Sequence, residues 1–227
     1  MALNMNYEEA RFNMVEQQIR PWSVLDDTVL QTMGSIPRDS FVIDSLKSMA
    51  YADIEIPLEH GEAMMFPRVE GRMLQELELG IEDECLEIGT GSGYVTACMA
   101  TMAKHVHSVD IHDDFLHQAG ERLAENNIAN VLLENKDGLT FDPTGSITKQ
   151  YDAIAVTGSL PEYLPLFEQL LKPGGRLFVI VGSEQTMHAM KVVRESGKNG
   201  DKFVRTSLFE TELTMLVGVE VESSFEF

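Results

Sequence analysis

The chain has 227 residues, 44% hydrophobic and 24% charged, and its 37 acidic and 17 basic side chains give a formal net charge of −20. That length suits one α/β domain, alone or with an appendage, because a single core is comfortable up to roughly 250 residues, and the balance excludes a disordered tail. The negative field argues against nucleic-acid and anionic-membrane partners, and apolar runs such as "RLFVIVG" fall far short of the roughly 20 residues that cross a bilayer.

The N-terminus, "MALNMNYEEARF", lacks the pattern of a secretory signal, which predicts a cytoplasmic protein. An amphipathic helix is expected over Asn6 to Ile19, with Asn6 as N-cap, apolar Phe12, Val15 and Ile19 three and four apart, and Pro21 as its stop. A second helix, capped by Asp26 or Asp27, carries Val29, Leu30 and Met33 and closes at Gly34 and Pro37. Trp22, between them, reads as a lid or core aromatic. A third helix runs from about Pro67 to Leu79, with Met73, Leu74 and Leu77 on one face and Gly80 beyond its end. Residues 1–80 therefore read as an N-terminal helical segment without a strong strand, with a loop at 59–67, "EHGEAMMFP", ahead of the third helix.

From residue 81 to 227 the period changes. Strands "ECLEIG" (Glu84 to Gly89), "HVHSVDI" (His105 to Ile111), "VLLEN" (Val131 to Asn135), "YDAIAVTG" (Tyr151 to Gly158) and "GRLFVIVG" (Gly175 to Gly182) alternate with helices over Ser92 to Lys104, Asp113 to Asn126 and Pro161 to Leu171. That alternation predicts a mostly parallel sheet covered on both faces. "MHAMKVVRE" and "KFVRTSLFE" flank "SGKNGD", the signature of a C-terminal antiparallel hairpin. The acidic end, "VEVESSFEF", is compatible with covering a sheet edge or docking on the N-terminal helices.

"LEIGTGSGYV" places Gly89, Gly91 and Gly93 between a strand and a helix, where backbone can approach a ligand and a helix N-terminus offers free N–H groups. The dinucleotide fingerprint would need a glycine at Tyr94, so this spacing points away from it, although a nicotinamide oxidoreductase remains the competing enzyme class. Asp110 ends the following strand, placed to accept hydrogen bonds from ribose hydroxyls. Cys85 and Cys98 lie in apolar patterns and read as buried free thiols. His105 and His107 share a strand face, and His112 and His117 follow, but no Cys or carboxylate at ligand spacing accompanies them, so no metal site is expected. No Gly-x-Ser-x-Gly elbow indicates a hydrolase.

"LEIGTGSG", "SVD", the "KDG" turn at Lys136 to Gly138 and "LLKPGGRLFVIVG" resemble, in order, the motifs of class I S-adenosyl-L-methionine-dependent methyltransferases. The resemblance implies that Glu87, Gly89, Thr90, Gly91, Ser92 and Gly93 line the methionine and ribose end of that cofactor. It also implies that Asp110 holds the ribose, Ile111 packs on the adenine, Asp137 and Gly138 meet the adenine amino group, and Thr157 lies near the sulfonium. More narrowly, "MVEQQIRP", "VLQTMGSIPRDSFV", "AYADIEIPLEHG" and "YDAIAVTGSLPEYLPLFEQLLKPGG" are similar to the protein-L-isoaspartate (D-aspartate) O-methyltransferase family. That family methylates isoaspartyl carboxylates, and the likeness implies a Rossmann-like three-layer α/β/α sandwich.

The family's acceptor loop follows its His-Gly pair with a Thr-Ile-Ser-like segment and Gln-Pro, whereas this chain has Ala63, Met64, Met65, Phe66 and Pro67 after His60, Gly61 and Glu62. Both hydroxyls are gone, and neither Ala nor Met donates a hydrogen bond to a carboxylate. Glu62 would repel an anionic acceptor. Three readings stay open. Backbone N–H groups or Arg68 replace the lost donors for a peptidyl isoaspartyl acceptor; or the acceptor is a neutral or phenolic small molecule, with His60 or Glu62 as base and Met64, Met65 and Phe66 as an apolar wall; or the chain binds the cofactor without transferring methyl.

Overall fold

A computed structural model of the chain describes residues 6–142, 149–183, 186–197 and 200–219. Helix α1 (Tyr7–Asn13) is capped by the Asn6 side chain, which accepts the Glu9 N–H. The single helix expected to Ile19 instead changes pitch: Met14–Ile19 winds as a π-helix and Arg20–Trp22 as a 3-10 turn. The Arg20 N–H bonds the carbonyl of Val15 five residues back, so the wider turn keeps Met14 and Ile19 together on the buried face. Trp22 packs edge-on against Phe209, 5.7 Å between centroids, which makes it a structural aromatic.

Helix α2 (Asp27–Ser35) is capped by Asp26, and helix α3 (Pro67–Leu77) ends at Glu78, whose left-handed backbone stops it short of Leu79. Between them lies a ribbon that the sequence does not announce. Strands β1 (Ile56–Pro57) and β2 (Ala63–Met64) pair antiparallel, with Ile56 opposite Met64. Two-residue strands are too short to show a period.

The main sheet is built from β3 (Glu84–Ile88), β4 (His105–Asp110), β5 (Val131–Asn135), β6 (Tyr151–Leu160), β7 (Leu171–Ser183), β8 (Thr186–Glu195) and β9 (Lys202–Thr211). Helices α4 (Tyr94–Met102), α5 (Asp113–Glu125) and α6 (Pro165–Gln169) connect its parallel strands. The expected helix over Pro161 to Leu171 shrinks to α6, because Leu171 already pairs with Tyr151. Strand order is β5-β4-β3-β6-β7-β8-β9, parallel from β5 to β7, then antiparallel through β8 and β9. Within the expected hairpin turn, Lys198 and Asn199 lie outside the described residues, as do residues 220–227 of the acidic end.

Successive strand residues face opposite layers. Cys85 and Phe178 join the core under α3 and α4, while Leu86, Leu177 and Val179 join the core with Phe167 of α6. Both cysteines are free and buried, and burial pushes the Cys85 thiol up to about 12. Among the described residues no helix is long and apolar enough to cross a membrane. The sheet is wound outward in both directions from β3 and β6, and such a switch point opens a crevice at the strands' carboxyl ends.

Candidate active site

After Ile88 the chain turns through Gly89 to Gly93 into α4, with Gly89 at φ 97°. A Cβ there would lie 2.4 Å from Thr157 Oγ1. That hydroxyl donates to the carbonyls of Ile88 (2.8 Å) and Gly89 (2.7 Å), so the end of β6 clamps the glycine turn of β3. Asp110, at the end of β4, accepts the Gly91 N–H on Oδ2 and the His112 N–H on Oδ1, each at 2.9 Å. An ionised carboxylate has about four acceptor sites, which leaves two for hydroxyls of a ligand.

Glu87 and Gly93, unlike the other residues of this turn, are not among those that line the cleft. Glu87 is fully buried beneath the glycine turn and stays off the cleft wall, because its Oε2 is held by the hydroxyls of Thr96 (2.5 Å) and Ser108 (2.6 Å). Its Oε1 has no partner among the described residues. Burial pushes this carboxyl up to about 8, against the opposing hydrogen bonds from Ser108 and Thr96. Gly93 faces α5, where a Cβ would meet that of Ala119 at 2.9 Å, so it serves helix packing.

The loops after β3, β4 and β5, together with Thr157 and Gly158 of β6, border one cleft. One side carries Gly89, Thr90, Gly91, Ser92, Asp110, Ile111, Asp137, Gly138 and Thr157; the other carries Leu58, Glu62, Ala63, Met64 and Met65. Ile111 is 44% exposed and offers an apolar face. Asp137 accepts the Leu139 N–H at 2.8 Å, which fixes the turn that follows β5. His112, Phe115, Leu139, Leu216 and Val217 also line the cleft and were not anticipated. His112 and Phe115 follow Asp110 closely enough to be inferred, but Leu216 arrives only through tertiary pairing of its N–H with the Ser159 carbonyl at 3.0 Å.

The acceptor side is anchored from beneath. Arg38, fully buried, donates to the Met65 carbonyl (2.8 Å), to the Ala50 carbonyl (2.9 Å) and twice to Glu70 (3.0 and 3.2 Å). Glu62 is half-buried; desolvation raises its carboxyl, His112 and His60 oppose that, and Asp110 reinforces it. His60 and Phe66 stand off the wall. His60 bonds Asp114 at 2.8 Å, while the Phe66 ring lies 4.0 Å under the Arg68 guanidinium. Arg68 pairs with Asp53 and also covers Trp22, and it is not among the residues that line the cleft.

A doubly wound sheet with a glycine turn after one inner strand, an acid ending the next strand and a cleft across both is the arrangement of enzymes that bind an adenosine-containing cofactor, a class that includes the S-adenosyl-L-methionine-dependent methyltransferases. Residues 9–217 match the family model described as protein-L-isoaspartate(D-aspartate) O-methyltransferase, and the chain belongs to that family. It is 36% identical over 205 residues to the protein-L-isoaspartate O-methyltransferase of Opitutus terrae, covering 88% of this chain and 85% of that one. To protein-L-isoaspartate O-methyltransferase 1 of Syntrophobacter fumaroxidans it is 34% identical, covering 94% and 97%. The same fold occurs in a Plasmodium falciparum protein-L-isoaspartate O-methyltransferase structure in complex with S-adenosyl-L-homocysteine, with a TM-score of 0.74, 20% identity and coverage of 93% and 98%. The protein is therefore a methyltransferase dependent on S-adenosyl-L-methionine, and the nicotinamide alternative falls.

Proposed function

We propose that the chain transfers methyl to an oxygen of an acceptor seated against Ala63, Met64 and Met65, and that this acceptor is the isoaspartyl carboxyl of a peptide, as the family's name indicates. The observation that carries this reading is the continuity of one cleft from the glycine turn and Thr157 to the β2 strand, so that donor and acceptor meet in one enclosure. The residues present fit the cofactor: backbone stands bare at Gly89 and Gly91, Asp110 keeps lone pairs for the ribose, and Ile111 offers a face to the adenine. Asp137 and Gly138 bound the adenine end, and Thr157 stands at the reacting end. S-adenosyl-L-methionine supplies an electrophilic methyl group on a sulfonium. Because a carboxylate is already an adequate nucleophile, the protein's work is alignment and exclusion of water. The buried Met64 and Met65 exclude water, and Arg38 holds the Met65 backbone in place.

The acceptor wall supports a second reading. Arg68 pairs with Asp53 outside the lining, and the ammonium among the described lining residues, that of Lys136, comes from the residue after the edge strand β5 and lies over the Phe141 ring. An apolar wall with a half-buried Glu62 suits a neutral hydroxyl acceptor, from which Glu62 would take the proton. Labelled methyl transfer to an isoaspartyl peptide, its aspartyl twin and a simple phenol separates the readings. Preference for the isoaspartyl peptide is expected. Methylation of the phenol alone would establish the second reading, and no transfer to any of them, with S-adenosyl-L-homocysteine still bound, would leave a cofactor-binding protein without this activity.

A further inference from the structure

We propose that His60, His112 and Asp114 form a site for a zinc-like divalent transition-metal ion on the rim of the cofactor cleft. His60 lies in the 3-10 turn Glu59–Gly61, His112 caps the N-terminus of α5, and Asp114 is in that helix's first turn. One ligand atom from each residue lies within 4.8 Å of the other two. His60 Nε2 is 2.8 Å from Asp114 Oδ2, and the two imidazoles stack at 4.0 Å with 4° between their planes.

Three features set this cluster apart from a chance meeting of surface groups. His60 holds φ 58°, a left-handed conformation uncommon for a residue with a Cβ, and that backbone places its ring against His112. His112 Nε2 is buried and has no hydrogen-bond partner among the described residues, an expensive state for a ring nitrogen that a metal would relieve. Phe115 packs its edge on both imidazoles, at 5.3 and 5.4 Å, and gives the cluster a dry floor. Glu62 and Asp110 add negative potential beside it.

Two imidazoles and a carboxylate are the donor set of zinc and its transition-metal neighbours, whereas Mg²⁺ and Ca²⁺ prefer all-oxygen sites. An ion lies in the plane of each imidazole that binds it, so two parallel rings cannot both point at one ion. The His60 side chain, 40% exposed, has room to tilt out of the stack, after which its Nε2 and Asp114 Oδ2 share the cation in place of their mutual hydrogen bond. Water completes the tetrahedron. A bound ion joins the 59–61 turn, which leads into the acceptor strand, to the head of the helix whose cap lines the cleft.

Zinc titrated by calorimetry into tag-free protein, with Co²⁺ absorption as a second probe, tests the site. One ion per chain is expected, together with a tetrahedral cobalt spectrum, no response to Mg²⁺, and binding weakened at least about tenfold in both His60→Gln and Asp114→Asn. Both substitutions are at exposed side chains, and thermal melts of the variants in the absence of metal verify that they fold. Absence of zinc binding would overturn the proposal. So would equal binding by wild type and both variants, which would place the ion on His105, His107, His117 or His188 instead.

Discussion

Arg38→Met tests how the acceptor strand is held. The substitution keeps an apolar stem in a fully buried position but deletes four donated hydrogen bonds, two to Glu70 and one each to the carbonyls of Ala50 and Met65. Breaking a buried ion pair by removing one partner costs about 3–5 kcal/mol, and each orphaned carbonyl adds roughly 1–3 kcal/mol unless water reaches it. The terms overlap through relaxation, so a loss of about 4 kcal/mol is expected, out of a stability of roughly 5–15 kcal/mol. Burial already pushes the Glu70 carboxyl upward despite Arg38. Without Arg38 its folded pKa rises further above its unfolded value, the native state holds the extra proton, and the deficit grows as pH rises through that window. Urea unfolding followed by the single tryptophan, Trp22, measures the loss. The double variant Arg38→Met/Glu70→Leu removes both charges and is expected to recover most of it. A single-variant loss under about 1 kcal/mol, or a double variant as unstable as the single, would refute the reasoning.

Glu87 contributes a pH dependence of its own. Its carboxyl, pushed from an ordinary 4.5 to about 8, binds a proton in the native state that the unfolded chain has lost. Its contribution is therefore fully present below about pH 4.5 and is lost as pH rises towards 8, by on the order of 1 kcal/mol per unit in mid-window. Glu87→Gln is expected to flatten that slope in urea melts at pH 5 to 8, and an unchanged slope would assign it elsewhere. Gly89→Ala places a methyl 2.4 Å from Thr157 Oγ1 at a φ of 97°, and is expected to weaken S-adenosyl-L-homocysteine binding at least about tenfold by calorimetry. Gly174→Ala, at φ 81° with open space around it, is the control that loses stability alone. Asp110→Ala is expected to weaken the same binding severely, since it deletes both the ribose acceptor and the bonds that hold Gly91 and His112 in place; undiminished affinity would move the cofactor site.

The sheet was legible because its strands repeat a simple rule, apolar runs punctuated by glycine, and the ends of β3 and β4 differ from expectation by a residue or so. Asp110, Ile111, Asp137 and Thr157 reach one cleft because motif order along the chain translates directly into strand-end positions. Glu87 shows where such transfer stops. A one-residue alternation turns it away from the cleft towards Thr96 on α4, and no motif prints the direction of a side chain. The histidines show a second limit. A search along the sequence pairs His105 with His107, yet the structure ties His107 to Tyr151 and Glu134, each at 2.7 Å, and brings His60 to His112 across 52 positions of chain. Nor did the π-helix at Met14–Ile19 show itself, since apolar residues four and five apart satisfy either winding.

Glu62 separates the two acceptor chemistries by sign. If the acceptor is an isoaspartyl carboxylate, Glu62 opposes it: two unit charges about 5 Å apart at an effective dielectric of 20 repel by roughly 3 kcal/mol. Desolvation raises the Glu62 carboxyl and so favours its neutral form, which acts to reduce that figure. Glu62→Gln then lowers KM for an isoaspartyl peptide about tenfold and leaves kcat within a factor of a few, since the repulsion acts on the bound acceptor and on the transition state that still carries part of its charge. If the acceptor is a hydroxyl, the same substitution removes the base and lowers kcat by about 100-fold or more with KM little changed. The expected result is the first, because Met64 and Met65 leave alignment rather than proton removal as the work of this wall. A fall in kcat on the isoaspartyl peptide would mean that Glu62 takes part in the chemistry, and that the loop lost its hydroxyls in exchange for a base.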